Sequence, residues 1–149
     1  MAISLNHTIV LSNDKWAAAN FLADLLGPEP NAFGPFVRLH VGETDIEFQN
    51  IEDNAANDHI TTQHLAFLMS EEELDLVLGK LQRHGVQPYQ DMFYDEPGVN
   101  NLYGGRGAYI HDPVDGHQWE FITAPYSGKP AHQEKGGWTD FVDPTAVDA

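Results

Sequence analysis

No cysteine occurs in the 149 residues, which excludes disulfides, thiolate metal ligands and thiol nucleophiles. Positive charge is nearly as scarce: 7 Lys and Arg stand against 23 Asp and Glu, for a formal net charge of -16. A chain so poor in cations lacks the groups that neutralise phosphates or anionic headgroups, so neither nucleic acid nor a membrane surface is an expected partner. No apolar run is long enough to span a bilayer. Met1-Ala2-Ile3-Ser4-Leu5 has neither a basic start nor a sustained apolar stretch, and a cytoplasmic location is the expectation. Any bound metal must be held by nitrogen and oxygen, which suits Fe(II), Mn, Ni, Co or Zn.

What is present is a repeat. Asn6-His7-Thr8-Ile9-Val10-Leu11-Ser12 leads into a helical stretch ending at Gly27, and that half closes on Ile46-Glu47-Phe48. Gln63-His64-Leu65-Ala66-Phe67-Leu68-Met69-Ser70 leads into a second helical stretch ending at Gly85, and this half closes on Trp119-Glu120-Phe121. The spacing is 20 residues from His7 to Gly27 and 21 from His64 to Gly85. Each half thus carries a histidine on its opening strand and a glutamate on its closing strand. Two imidazoles and two carboxylates at matched positions are a ligand set for a divalent ion.

Alternation places Leu5, His7, Ile9 and Leu11 on one face of a strand over residues 4–12. Ser12-Asn13-Asp14 offers N-cap chemistry, Ala18, Phe21, Leu22 and Leu25 follow at helical spacing, and Gly27-Pro28 stops the helix. A loop over 28–35, with room for a short edge strand, precedes a hairpin of Phe36–Val41 and Thr44–Gln49 across Gly42-Glu43. Residues 50–61 read as a linker. In the second half Ser70 and Glu73 make a capping box, with Leu74, Val77, Leu78 and Leu81 in helical register. Strands are expected at Val86–Phe93, Gly107–His111 and His117–Thr123, with a long Gly- and Asn-rich loop over 94–106 as a candidate lid. The expected fold is α+β, with two βαβββ modules, about 4–50 and 62–126, cupped around a central cavity in one domain of residues 1–126. Residues 127–149 read as a loose acidic tail, or as an arm packing on a neighbour through Trp138 and Phe141.

These motifs resemble the vicinal-oxygen-chelate superfamily, which includes glyoxalase I, fosfomycin-resistance proteins, extradiol dioxygenases and bleomycin-binding proteins. The resemblance rests on the strand with His7, on Gln63-His64-Leu65-Ala66-Phe67, and on the run from Gly105 to Glu120. It implies that His7, His64 and Glu120 are metal ligands, and that Glu47 is the fourth ligand of glyoxalase-like members. The family turn Asp-Pro-Asp-Gly has one residue more here, Asp112-Pro113-Val114-Asp115-Gly116. Gly104-Gly105-Arg106-Gly107-Ala108-Tyr109, with Thr123-Ala124-Pro125-Tyr126, resembles a small single-domain branch, the ChaP-like proteins.

The favoured expectation is a metal-dependent enzyme, a non-haem iron dioxygenase-like oxidoreductase acting on an aromatic or polyketide-type substrate chelated through vicinal oxygens. Fe(II) is the favoured ion, with Mn, Ni or Zn as alternatives. The additional active-site histidine of extradiol dioxygenases is missing from Gln87–Phe93. A glyoxalase I-like isomerase or lyase, with Glu47 as ligand and base, is the second reading. A fosfomycin thiol transferase ranks third, for want of a basic pocket. A metal-free protein that sequesters an antibiotic, as bleomycin-resistance proteins do, is the alternative of another class. Tyr109 is a candidate hydrogen-bond donor to the substrate, or a packed aromatic. His111 shares its face, Gln118 shares that of Glu120, and Arg106 is a candidate substrate clamp or a solvated loop cation. Arg38 and His40 are further candidate cavity liners. His59, His84, His117 and His132 are expected at the surface. A homodimer is expected, its site built within one chain or from exchanged halves.

Overall fold

The computed structural model describes residues 2–126 and the backbone of two strands beyond them, 131–134 and 137–141. By its contacts the chain forms two units: residues up to Gln63 together with Asp112–His117, and His64–His111 together with the residues from Gln118 onward.

The first unit is a complete βαβββ module. Strand β1 (His7–Ser12) runs into helix α1 (Lys15–Leu26), followed by β2 (Asn31–Phe33), β3 (Phe36–Val41) and β4 (Thr44–Asn50). The sheet order is β1-β4-β3-β2, with β1 and β4 parallel and the rest antiparallel. Asp14 caps α1 by accepting a hydrogen bond from the Ala17 amide, and Gly27 ends it at a φ of 105°, open to glycine at little steric cost. Period-two alternation turns Val10, Val37, Leu39, Ile46 and Phe48 to one face, where they are buried with the apolar stripe of α1. The register places His7, Ile9, Arg38, Asp45 and Glu47 together on the other face, since paired residues of neighbouring strands point the same way.

The second unit contains β5 (His64–Leu68), α2 (Glu71–His84), β6 (Gly107–His111) and β7 (Gln118–Ile122), in the sheet order β5-β7-β6. The capping box is formed by Ser70 and Glu73, and Gly85 closes α2 in the left-handed region. Phe67 lies edge-on to Trp119 and stacks with Phe121. These rings and the α2 stripe of Leu74, Val77 and Leu81 are buried.

Two expectations need correction. Val86–Phe93 does not form a strand. Only Tyr89 pairs with Tyr109, through reciprocal backbone bonds of 2.8 Å. Pro88 removes a ladder donor, and the buried Asp91 carboxylate accepts bonds from the amides of Phe93, Asp95 and Glu96, drawing the backbone into a local turn. The second module therefore has three strands where four were expected. His117 is not a surface group: it is fully buried, with Nδ1 accepting from the Gln63 amide at 2.9 Å and Nε2 donating to the Leu11 carbonyl at 2.7 Å. The extra residue of the 112–116 turn does not displace the closing strand. It is absorbed in a wide turn, where the Gly116 amide bonds the Asp112 carbonyl and the Asp112 amide bonds that of His117. Asp115 anchors this turn on Ser12 and Asn13.

The expected tail falls largely outside the described residues, as do the side chains of His132, Trp138 and Phe141. Within it the backbone of β8 (Ala131–Glu134) pairs antiparallel with β9 (Gly137–Phe141). No helix among the described residues is long and apolar enough to cross a membrane.

A short 3-10 turn, Leu102–Gly104, leads into β6. A Cβ on Gly105 would fall 2.6 Å from Thr123 Oγ1 and 2.9 Å from the Ala124 nitrogen. Gly105→Ala is therefore expected to destabilise the fold by about 1–3 kcal/mol, as overpacking does. Denaturant titration of the variant beside the parent measures it.

Candidate metal centre

Strands β5, β7 and β6 place five of the expected residues on one face. His64 pairs in register with Gln118, Ala66 with Glu120, Tyr109 with Glu120, and His111 with Gln118. At the centre His64 Nε2 and Glu120 Oε1 stand 3.0 Å apart, the imidazole partly exposed and the carboxylate buried. The Glu120 carboxylate, mainly through this hydrogen bond, raises the His64 pKa above the ordinary histidine value. The second carboxylate oxygen, Glu120 Oε2, is buried with no hydrogen-bond partner.

An aromatic border surrounds this pair. The Tyr109 ring lies 6.0 Å from His64, and its hydroxyl is 3.5 Å from that of Tyr126. Tyr126 packs on Tyr103, with centroids 4.3 Å apart, and Tyr94 stacks on His111 at 3.7 Å. Burial, with the Glu120 carboxylate adding to it, pushes the Tyr109 and Tyr126 phenols well above their ordinary value. Both are hydrogen-bond donors at neutral pH.

The other expected residues are placed differently. Arg106 is engaged with α2: its Nε bonds Glu71 at 2.6 Å and its Nη2 bonds Asp75 at 2.8 Å. In the first unit His7 is exposed, and its Nδ1 pairs with Asn6 Oδ1 at 2.7 Å. An amide oxygen accepts only, so Nδ1 is the donor in this contact and Nε2 is the nitrogen left open to a ligand. Glu47 is buried and ion-paired, its Oε1 bound by Arg38 at 2.5 and 3.1 Å. The Arg38 guanidinium lies over the Phe33 ring, 3.4 Å from its centroid. His40 pairs with Asp45. Among the described residues no group of three or more His, Asp or Glu side chains is gathered to hold a metal.

Sequence reasoning missed Tyr94 and Tyr103, and took Tyr126 only as part of a motif. One signal was available: all five tyrosines fall within 89–126, whereas the phenylalanines are spread along the chain.

No protein-family model and no curated protein matches the chain. Among solved structures, Oxidase ChaP-H2 is 39% identical with a TM-score of 0.77, over 85% of this chain and 98% of that one. Oxidase ChaP-H1 matches with the same identity, TM-score and share of this chain, over 100% of its own. The chain belongs to the ChaP-like branch of the vicinal-oxygen-chelate superfamily. A lactoylglutathione lyase from Agrobacterium tumefaciens, 18% identical with a TM-score of 0.61 over 81% of this chain and 93% of that one, shares the fold.

Superfamily enzymes use a divalent metal, and the donors of the second unit suit one. An imidazole nitrogen and a carboxylate oxygen face each other, and these are the donor types that borderline first-row ions take. An unpartnered buried carboxylate oxygen is costly in a metal-free protein. Glu120 Oε2 is such an atom.

Proposed function

We propose that this protein is a metal-dependent vicinal-oxygen-chelate enzyme, a non-haem iron oxygenase acting on an aromatic or polyketide-type substrate with two adjacent oxygens. The observation that carries the reading is the His64–Glu120 pair, with its unpartnered Oε2, inside a border of tyrosines. Identity of 39% to two oxidases supports the reaction class. His64 and Glu120 would hold the ion, with His7 as the third ligand, supplied by this chain or by a second copy in a homodimer. When bound, the ion supplies Lewis acidity toward the two substrate oxygens and a route for electrons to dioxygen.

The chain's own groups do the rest. Glu120, buried, would present its carboxylate to the ion where solvent screens little. Tyr109, kept protonated, donates a hydrogen bond to a substrate oxygen as negative charge develops on it. His111 and Gln118 share the face of Tyr109 and Glu120 and orient the substrate's far edge.

The pairing of Glu47 with Arg38 favours this reading over a glyoxalase-like isomerase. A carboxylate oxygen occupied by a guanidinium is less available to a metal or to a substrate proton, and the isomerase reading needs Glu47 in both roles. A metal-free binding protein would retain the unpartnered Glu120 oxygen without compensation.

The test begins with protein purified without chelator or histidine tag, reconstituted anaerobically with Fe(II), then supplied with oxygen and a panel of catechols and hydroxyquinones. Iron-dependent oxygen uptake with at least one of them is the expected result. No uptake across the panel, together with turnover of a glutathione hemithioacetal by the Ni(II) or Zn(II) form, would replace the oxygenase by the isomerase.

A further inference from the structure

Among the described residues two side-chain-bearing positions have a positive φ, Tyr94 at 58° and Tyr103 at 55°. Left-handed backbone disfavours any residue with a Cβ, and a bulky aromatic is an unusual occupant. Both lie in the segment joining α2 to β6, and both rings rest on an aromatic group beside Glu120. Tyr94 has a second role, since its hydroxyl donates to the Ile110 carbonyl at 3.0 Å. Tyr103 packs its ring on that of Tyr126, with centroids 4.3 Å apart. Backbone strain kept by a structure clusters where a side chain must be held in place.

What Tyr126 brings is a hydroxyl 3.5 Å from that of Tyr109. Two phenols carry two protons. One lies between the two oxygens, and the other must find an acceptor elsewhere. The Glu120 carboxylate is close enough to both phenols to raise them, and with that carboxylate committed to an ion the second phenol proton is available to a ligand bound there.

We propose that Tyr126 is a positioning residue of the Glu120 site, held by the strained Tyr103, so that its hydroxyl and that of Tyr109 form a phenol pair donating one hydrogen bond to a bound vicinal-oxygen ligand. This rests on the metal-dependent reading above. Tyr109 is the group that meets the ligand, and Tyr126 acts through it.

Two variants separate this role from simple packing. Tyr126→Phe keeps the ring that Tyr103 contacts and removes the hydroxyl. Tyr103→Gly removes the ring and relieves the left-handed strain. The full-length protein is loaded anaerobically with Fe(II), and 4-nitrocatechol, a chromophore with two adjacent oxygens, is titrated by absorbance. Fe(II) affinity is measured separately by competition with a chelating dye, and melting temperature by calorimetry.

The expected result for Tyr126→Phe is about tenfold weaker 4-nitrocatechol binding, the worth of one hydrogen bond, with Fe(II) affinity and melting temperature near the parent's. Tyr103→Gly should show the same weakening of 4-nitrocatechol binding, with Fe(II) affinity near the parent's. Parent-like 4-nitrocatechol binding by Tyr126→Phe overturns the proposal alone, whether or not Tyr103→Gly folds. A fall in melting temperature for Tyr103→Gly with unchanged probe binding also overturns it, leaving the stack as packing. Failure of the parent to take up Fe(II) overturns the metal-dependent reading and this inference with it. Uptake of Fe(II) without probe binding overturns the inference and leaves the metal site standing.

Discussion

His64→Ala and Glu120→Ala are each expected to weaken divalent-metal binding by at least about 100-fold, since replacing even the supporting partners of metal ligands costs 10–100-fold. The parent should bind about one ion per chain, as a mononuclear His and carboxylate site does. The two variants should differ when metal-free. Removing Glu120 removes a buried carboxylate with one oxygen unpartnered, so the apo variant should lose little stability, because an unsatisfied buried charge is itself destabilising. His64→Ala leaves that carboxylate without its 3.0 Å partner and should lower apo stability by about 1–3 kcal/mol. Added metal at 100 times Kd stabilises the parent by about 2.7 kcal/mol, raising its melting temperature by roughly 5–10 °C. Neither variant should show that rise. Glu72→Ala, which removes an exposed carboxylate on α2 outside that face, is the control that should keep it. Scanning calorimetry with and without Fe(II) or Mn(II) measures all four proteins. Parent-like metal stabilisation in Glu120→Ala would place the site elsewhere.

The second large effect is expected at a residue outside the metal-ligand set. His117→Ala should destabilise the fold by about 3–5 kcal/mol, in the range of buried deletions that also strand polar partners. The imidazole is fully buried and uses both nitrogens. Its loss leaves the Leu11 carbonyl and the Gln63 amide without these bonds and opens a cavity between β1 and the 112–117 turn. A melting temperature roughly 6–20 °C lower follows from that cost for a chain of this size. Asparagine should recover little, being too short to reach both partners. Urea unfolding of the parent beside His117→Ala and His117→Asn measures both effects, and a parent-like midpoint for His117→Ala would show that neither bond nor the buried ring carries weight.

The two faces of each sheet were legible in the sequence because they depend on local rules. Period-two alternation put His64, Glu120, Tyr109, His111 and Gln118 on one side, and the capping box, the helical stripes and Gly27 and Gly85 set where the helices begin and end. The repeat of strand and helix, read with the motif around Glu120, determined the α+β family. Other features needed groups distant in the chain. Asp91 captured three amides and cancelled a strand that Val86–Phe93 favoured by composition. Arg38 claimed Glu47 across the β3–β4 pair, weakening a ligand assignment that the repeat alone supported. His117 looked like a turn residue until the folded chain brought Gln63 and Leu11 to its two nitrogens. The unpartnered Glu120 oxygen and the two left-handed tyrosines belong to the same class. Alternation and capping are settled by neighbours a few residues away. Which polar group meets which partner, and which is left without one, is decided only when the backbone closes on itself and removes water.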